Sequence, residues 1–313
     1  MIEVSNLTKF YGTTSAIHDV SFTVARGEVL GFLGPNAAGK TTTMRILSGF
    51  MPPSSGTARV AGYDVLTDSL QVRAHVGYLP ETVPLYAEMT VASYLRFFAR
   101  LRGVTNVAGR LEYVLAACGL EEQSDSIIGR LSRGYRQRVG IAQALVHDPD
   151  VLILDEPTVG LDPRQITEVR SLIRSLGDAH TVILSTHILS EVSQTCSRVL
   201  IIDKGRIVAE DSPERLAARV HGNSQVRLRV ASPAPDSAKR LEVIPGVLAV
   251  DQDGNQFNIQ CDPATECRPA IASLAVQSGW GLLELRSQDV SLEDVFLQLT
   301  GEEEPKAAIE AAS

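Results

Sequence analysis

The stretch "EVLGFLGPNAAGKTT", residues 28–42, runs from an apolar segment into a loop of glycine and other small residues. It contains the pattern Gly-x-x-x-x-Gly-Lys-Thr, which begins at Gly34 and ends at Thr41. The apolar residues predict a buried strand and the residues after the loop predict a helix, which is the setting that a phosphate-binding loop requires. Backbone N–H groups of such a loop converge on phosphate oxygens, and the N-terminus of the following helix adds positive potential. The stretch therefore predicts a nucleotide site within an α/β layer.

Two side chains of the loop add charge and metal chemistry, and a third position departs from the commonest pattern. Lys40 supplies a point charge for the phosphates, and the hydroxyl of Thr41 is a magnesium ligand in such loops. If the backbone at Ala37 is left-handed, its Cβ costs about 1–2 kcal/mol, or roughly tenfold in affinity, whereas at negative φ it costs nothing. The pattern accepts any residue there, so we expect binding to be kept. The residues expected to contact nucleotide are Gly34, Pro35, Asn36, Ala37, Ala38, Gly39, Lys40, Thr41 and Thr42.

A second motif is "VLILDE", residues 151–156, in which an apolar run ends in two carboxylates. A buried strand that ends there places Asp155 and Glu156 in the crevice where open α/β sheets bind ligands. Asp155 is then a candidate for holding Mg²⁺, and Glu156 a candidate for polarising the water that attacks the terminal phosphate. Without the phosphate loop, a strand that simply ends in an acidic turn would be the preferred interpretation of the same pattern.

The third motif, "LSRGYRQR" at residues 131–138, resembles the signature segment of ATP-binding-cassette (ABC) ATPases, and the motif order over about the first 220 residues agrees. The resemblance implies a P-loop NTPase fold and a Mg²⁺-dependent ATPase. It also implies that Tyr11 stacks on adenine, that "GLD" ending at Asp162 is the D-loop, and that His187 is the switch histidine. Taken singly, such a tyrosine is more often a core or surface aromatic, and a lone histidine after a strand is more often satisfied locally than catalytic.

In that family the signature of one subunit closes on the nucleotide held by another. The resemblance therefore implies a second ATP-binding subunit, with Ser132 and Gly134 of one copy facing the phosphate held by Lys40 of the other. It also implies transmembrane permease subunits on separate chains, with this chain peripheral on the cytoplasmic face of the cell membrane. The segment Val83–Gly103 is where a permease would dock, although its apolar spacing also describes a helical subdomain that packs on itself.

Glu81 in "VGYLPE" stands where most of the family has a metal-contacting glutamine. A glutamate can also ligate Mg²⁺ through oxygen, but it adds negative charge beside the phosphate. "YLPE" and "LSRGY" are typical of export-type cassettes, so we interpret Glu81 as a subtype marker. Two other functions remain open: a soluble ABC protein acting on ribosomes or DNA, and a nucleotide-gated scaffold that does not hydrolyse ATP.

The alternation of apolar and helical patterns predicts an α/β fold with a mainly parallel sheet, flanking antiparallel strands and a helical subdomain at about 84–135. Strand-like runs that meet at Arg26-Gly27 and Lys204-Gly205 predict hairpins. The ATP-binding domain is expected to span residues 1–220.

Residues 221–302 predict a small α+β domain with a strand, an Asp-Gly hairpin, a helix and a strand. Its last segment, "SLEDVFLQLTG", has a capping-box pattern from Ser291 to Asp294. The tail, residues 303–313, is expected to fray.

Composition limits the class of protein. The chain has 313 residues, of which 44% are hydrophobic and 21% charged, as in an ordinary globular protein. Its 29 basic and 37 acidic residues give a net charge of −8, which disfavours a nucleic-acid partner. No apolar run is long enough to span a membrane. The four cysteines lack metal-ligand spacing, so we interpret them as buried or incidental thiols.

Overall fold

The computed structural model describes residues 1–220, 224–262 and 265–288. The chain divides into two compact units, Met1–Pro213 and Glu214–Ser313, where the sequence predicts a boundary at residue 220. The strands are β1 (Ile2–Tyr11), β2 (Thr14–Val24), β3 (Val29–Leu33), β4 (Ser55–Val60), β5 (Tyr63–Asp64), β6 (Val76–Leu79), β7 (Val151–Asp155), β8 (Thr181–Thr186), β9 (Arg198–Asp203), β10 (Arg206–Asp211), β11 (Ser224–Val230), β12 (Val247–Asp253), β13 (Gln256–Cys261) and β14 (Leu282–Gln288). The helices are α1 (Lys40–Leu47), α2 (Ser69–His75), α3 (Val91–Leu101), α4 (Val107–Ala117), α5 (Arg133–Leu145), α6 (Pro163–Gly177), α7 (Leu189–Thr195), α8 (Pro213–Val220), α9 (Ser237–Glu242) and α10 (Arg268–Gln277).

The central sheet of the first unit has the strand order β10-β9-β3-β8-β7-β6. All pairs within the run β9-β3-β8-β7-β6 are parallel. At one edge of the sheet, β10 pairs antiparallel with β9. Every residue of β7 and β8 is buried, which explains why their sequences are continuous rather than alternating. The predicted α/β fold with a mainly parallel sheet is confirmed. Because the strands are parallel, the loops after β3, β7 and β8 leave the same edge side by side.

A second sheet, with the order β2-β1-β4-β5, is antiparallel throughout. The predicted hairpin at Lys204-Gly205 is confirmed: it joins β9 to β10, and both turn residues have positive φ. The predicted hairpin at Arg26-Gly27 is wrong, because β2 pairs with β1 whereas β3 pairs with β8 and β9. The fully apolar β3 takes a place buried on both faces, and the turn carries the chain from one sheet to the other.

Helix α1 packs where the two sheets meet. Its residues Met44, Ile46 and Leu47 belong to one buried cluster with Ile2 of β1 and Phe32 of β3. Fully burying each such side chain contributes about 1.5–3 kcal/mol. This packing holds the N-terminus of α1 at the edge of the central sheet.

The expected helical subdomain contains α3 and α4, and α5 begins at its end. Thr90 caps α3 by accepting a hydrogen bond from the backbone N–H of Ser93 at 3.3 Å, and Asn106 caps α4 in the same way from Gly109 at 3.1 Å. The caps satisfy backbone donors that would otherwise lack partners, so the helices begin where the sequence provides Thr and Asn.

The second unit follows the order β11-α9-β12-β13-α10-β14, and its sheet has the order β12-β13-β11-β14 with antiparallel pairs. This is a split βαβ, ferredoxin-like arrangement. Its core includes Leu228, Phe257 and Trp280. The hairpin between β12 and β13 is as predicted, but α9 was not predicted because it has only six residues. The predicted capping box at Ser291–Asp294 and the tail lie outside the described residues.

Candidate nucleotide site

The loop between β3 and α1 is held closely against the sheet. A Cβ on Gly34 would lie 2.4 Å from the backbone oxygen of Ile202, and a Cβ on Gly39 would lie 2.7 Å from that of Ala16. Gly39 also has φ of 107°, which a residue with a side chain rarely adopts. These two positions therefore require glycine, both for close approach and, at Gly39, for backbone conformation.

Ala37 has φ of 64°, in the left-handed region. Of the two alternatives that the sequence left open, the structure selects the strained one, in which the Cβ costs about 1–2 kcal/mol.

The ammonium group of Lys40 folds back over the loop. Its Nζ donates to the backbone oxygens of Gly34 at 2.7 Å and Pro35 at 3.1 Å. It also lies 3.2 Å from Oε1 of Glu156, and both side chains are buried. A buried cation thus faces the end of β7, where the sequence predicts the catalytic carboxylate.

Glu156 connects Lys40 to the predicted switch histidine. His187 Nδ1 donates to Glu156 Oε2 at 2.9 Å, and the acceptor-only carboxylate sets the tautomer. Glu156 has φ of 50°, and its backbone N–H donates to the oxygen of Ser185 at 3.0 Å. The loops after β3, β7 and β8 therefore bring Lys40, Glu156 and His187 into one contact series.

Asp155 is completely buried at the end of β7. The hydroxyl of Ser185 donates to its Oδ1, and its Oδ2 has no hydrogen-bond partner among the described residues. Burial raises the pKa of Asp155, the Ser185 and Thr41 hydroxyls oppose this shift, and the Glu156 and Glu81 carboxylates add to it. A buried carboxylate oxygen without a donor, with further carboxylates nearby, is a fitting place for a cation.

Lys40, Glu156 and His187, but not Asp155, border a cavity of about 540 Å³. Its lining includes most of the residues predicted for the site, together with Ala16 and Val159, which sequence reasoning missed and no motif indicates. The lining residues are Ala16, Asn36, Ala37, Gly39, Lys40, Thr41, Thr42, Glu81, Glu156, Val159 and His187.

Tyr11, at the end of β1, is not among the residues that line this cavity. Its ring is about half exposed, its hydroxyl donates to Met51 Sδ at 3.1 Å, and the ammonium of Lys9 lies 5.8 Å from the ring centroid. Stacking of Tyr11 on adenine therefore stays a prediction.

The signature residues lie on a different surface. Ser132 caps α5 by accepting from the N–H of Tyr135 at 3.3 Å, and Asp162 caps α6 by accepting from Gln165 at 2.9 Å. A Cβ on Gly134 would lie 2.7 Å from Gln165 Cδ, so glycine permits the close approach of the two helix starts. Ser132, Gly134 and Asp162 line a second cavity of about 300 Å³, which shares no lining residue with the first.

Comparison with known proteins shows which family the chain is similar to. The family model described as "ABC transporter" matches residues 17–159. The linearmycin resistance ATP-binding protein LnrL of Bacillus subtilis (strain 168) is 32% identical over 96% of this chain and 98% of its own length. The Nod factor export ATP-binding protein I of Paraburkholderia xenovorans (strain LB400) is 36% identical over 96% of this chain and 97% of its own.

A solved structure also superposes on the chain. CbiO1 of Clostridium perfringens, described as part of the ABC transporter complex cbiONQ, is 29% identical with a TM-score of 0.65. The match covers 70% of this chain and 91% of that one. Within the part of the chain that the structure describes, we found no helix with the length and hydropathy of a membrane span.

Proposed function

This chain belongs to the ABC transporter ATP-binding proteins and is an ATPase, and we propose that it powers export through a permease on separate chains. The observation that carries the proposal is the contact series at the edge of the parallel sheet, in which the buried Lys40 and Glu156 meet the exposed His187. The family supports the permease, and the printed function of the Nod factor relative supports the direction.

We assign the phosphates of ATP to the loop from Gly34 to Thr42. The incoming terminal phosphate competes with Glu156 for the ammonium of Lys40, because the two anions require the same buried cation. The released Glu156 carboxylate, still bonded to His187 Nδ1, then accepts a proton from the attacking water. Tyr11 is assigned to adenine.

The donor set beside the loop fits Mg²⁺. Thr41, Glu81 and Asp155 provide only oxygen ligands, which Mg²⁺ prefers, and Asp155 Oδ2 is buried without a donor. The ion would neutralise charge on the phosphates as the bond to the terminal group breaks. Glu81 adds a negative charge that a glutamine at this position would not.

The working form that we propose is a pair of ATP-binding subunits arranged head to tail, in the simplest case two copies of this chain. Ser132 and Gly134 line a cavity that is separate from the one containing Lys40. A second copy is thus needed for the signature to reach the phosphate. Each site then combines the loop of one copy with the signature of the other.

The permease surface that we propose lies on α3 and the segment before it. Tyr86, Tyr94, Phe97 and Phe98 form an aromatic cluster, with ring centroids 4.8–6.3 Å apart in the contacting pairs. Tyr86 and Phe97 remain nearly half exposed. Exposed aromatics that pack on one another fit an apolar partner segment. The chain then lies on the cytoplasmic face of the membrane, with residues 1–220 as the motor domain and 221–302 as an accessory domain.

Affinity purification of the tagged chain from detergent-solubilised membranes tests the coupling. The wild-type chain is expected to bring down an integral membrane protein, and Phe97→Gln to lose it while retaining its melting temperature within a few degrees. Phe50→Gln is the matched control, because Phe50 is exposed outside the aromatic cluster. Recovery of ribosomes or DNA in place of a membrane protein would contradict the proposal.

A further inference from the structure

We infer that Glu191 is a positioning residue of the ATP site, which joins the segment after Glu156 to the segment that carries His187. The inference rests on the roles proposed above for Glu156 and His187. It adds a residue on α7 that lies outside the motifs of the sequence analysis.

The carboxylate of Glu191 bridges two loops. Glu191 lies in the first turn of α7, and its side chain is 1% exposed. The hydroxyl of Thr158, two residues after Glu156, donates to Oε1. The hydroxyl of Thr186, immediately before His187, donates to Oε2 at 2.8 Å. The two oxygens of one buried carboxylate are therefore bonded to two loops, one that carries Glu156 and one that carries His187.

The bridge extends in two further directions. Thr186 Oγ1 also accepts from the backbone N–H of Ile188 at 3.0 Å, which orients the turn around His187. Arg170 Nη2, on α6, lies 3.7 Å from Glu191 Oε1. Helix α6 begins directly after Asp162, so the same carboxylate borders the helix of the D-loop.

Loss of either hydroxyl leaves a buried acceptor unsatisfied. Such a loss costs about 1–3 kcal/mol. This corresponds to roughly a tenfold or larger decrease in the population of the arrangement that joins the two loops. Glu156 and His187 are joined by a single hydrogen bond of 2.9 Å, so a shift of either loop breaks their contact. A purely structural Glu191 would instead hold α7 in place without affecting that contact.

Thr158→Val is the sharpest variant, because it removes the hydroxyl at nearly constant shape. Thr158→Ser restores the donor and is the conservative rescue. The matched control is Thr195→Val, also on α7, where the buried hydroxyl has no hydrogen-bond partner among the described residues. Glu191→Gln is a second disrupting variant, since an amide accepts from only one of the two hydroxyls.

The first readout needs no nucleotide. In ¹⁵N-histidine spectra of the full chain, with the His187 signals identified by His187→Ala, the Nδ1 resonance reports the bond to Glu156. Thr158→Val and Glu191→Gln are expected to shift it, whereas Thr158→Ser and Thr195→Val leave it at the wild-type position. An unchanged resonance in folded Thr158→Val overturns the inference, including the case in which Glu191→Gln does not fold.

The second readout is steady-state ATP hydrolysis with magnesium. Thr158→Val is expected to lower kcat by about tenfold with KM for ATP within about twofold, because the phosphate loop is untouched. Glu156→Gln distinguishes failure of the proposed catalytic role of Glu156 from failure of the Glu191 inference. Turnover that survives Glu156→Gln contradicts the proposed catalytic role itself. If Glu156→Gln is inactive while Thr158→Val matches wild type, the Glu191 inference alone fails.

Discussion

At the scale of single residues, two non-glycine positions of the site have left-handed backbone, Ala37 at φ 64° and Glu156 at φ 50°. Such residues cost energy and persist where surrounding contacts determine them. At Glu156 these contacts are visible: the backbone bond to Ser185, the ion pair with Lys40 and the bond from His187. At Ala37 the structure shows the strain, and the substitution is a direct test of its size.

We expect Ala37→Gly to raise the free energy of unfolding of the first unit by about 1 kcal/mol, because relief of the Cβ strain exceeds the added freedom of the unfolded chain. In a domain of this size that is about 2–4 °C in melting temperature, measured by calorimetry. Nucleotide affinity, titrated in a Glu156→Gln background, is expected to rise by up to about tenfold. The control is Ala61→Gly, which has φ of 52° in the turn between β4 and β5 and should change stability only. No gain in either quantity would show that the loop relaxes around Ala37.

At the scale of elements, the connection from α5 to β7 contains a partly buried histidine, His147. His147 Nε2 donates to the backbone oxygen of Val76 in β6 at 3.1 Å, and its Nδ1 is buried without a partner among the described residues. Burial lowers the pKa of His147 to about 4, and the nearby positive charge of Arg102 adds to the shift. The imidazole is thus neutral where the helical subdomain meets the parallel sheet.

This histidine predicts acid sensitivity. Because the pKa of His147 is near 6.5 unfolded and about 4 folded, the unfolded chain binds the proton first as pH falls. Stability is therefore expected to decline between about pH 6.5 and pH 4, by up to about 3 kcal/mol. Denaturant titrations at several pH values should show a smaller decline in His147→Gln, which keeps a donor without titrating. His18→Gln, at an exposed histidine, is expected to follow wild type; equal declines in all three chains would refute the assignment.

At the scale of the whole molecule, the residues that we assign to the signature and to the phosphate loop line separate cavities that share no residue. Helix starts form the signature half, and the ends of parallel strands form the phosphate half. In the pair that we propose, each ATP site combines the phosphate half of one copy with the signature half of the other.

Mixing two inactive variants tests this exchange. Lys40→Ala destroys the phosphate half and Ser132→Arg the signature half, so each is expected to be inactive alone. In a mixed pair, the intact loop of one copy meets the intact signature of the other. Random pairing makes half of the dimers mixed with one good site each, so about a quarter of wild-type turnover is expected. Phosphate release that stays at background after mixing, while mixed dimers are seen by size, would contradict composite sites.

Much of the fold and site could be predicted because local patterns specify them. Continuous apolar runs predict strands buried on both faces, and β7 and β8 are such strands. The predictions failed where pairing decides the outcome. The run ending at Arg26-Gly27 has the local pattern of a hairpin, yet β3 has parallel partners distant in sequence. Helix α9 is too short for a periodic signal.

The sequence by itself determined the phosphate loop, the paired carboxylates and the order of motifs, because each requires particular residue types at short spacing. Only the tertiary structure decided the conformation at Ala37, since an alanine is compatible with either sign of φ. It alone also placed Glu191 between Thr158 and Thr186, which are 28 residues apart in the chain. Parallel pairing of β7 with β8 brings those loops together, and such long-range contacts have no local signature.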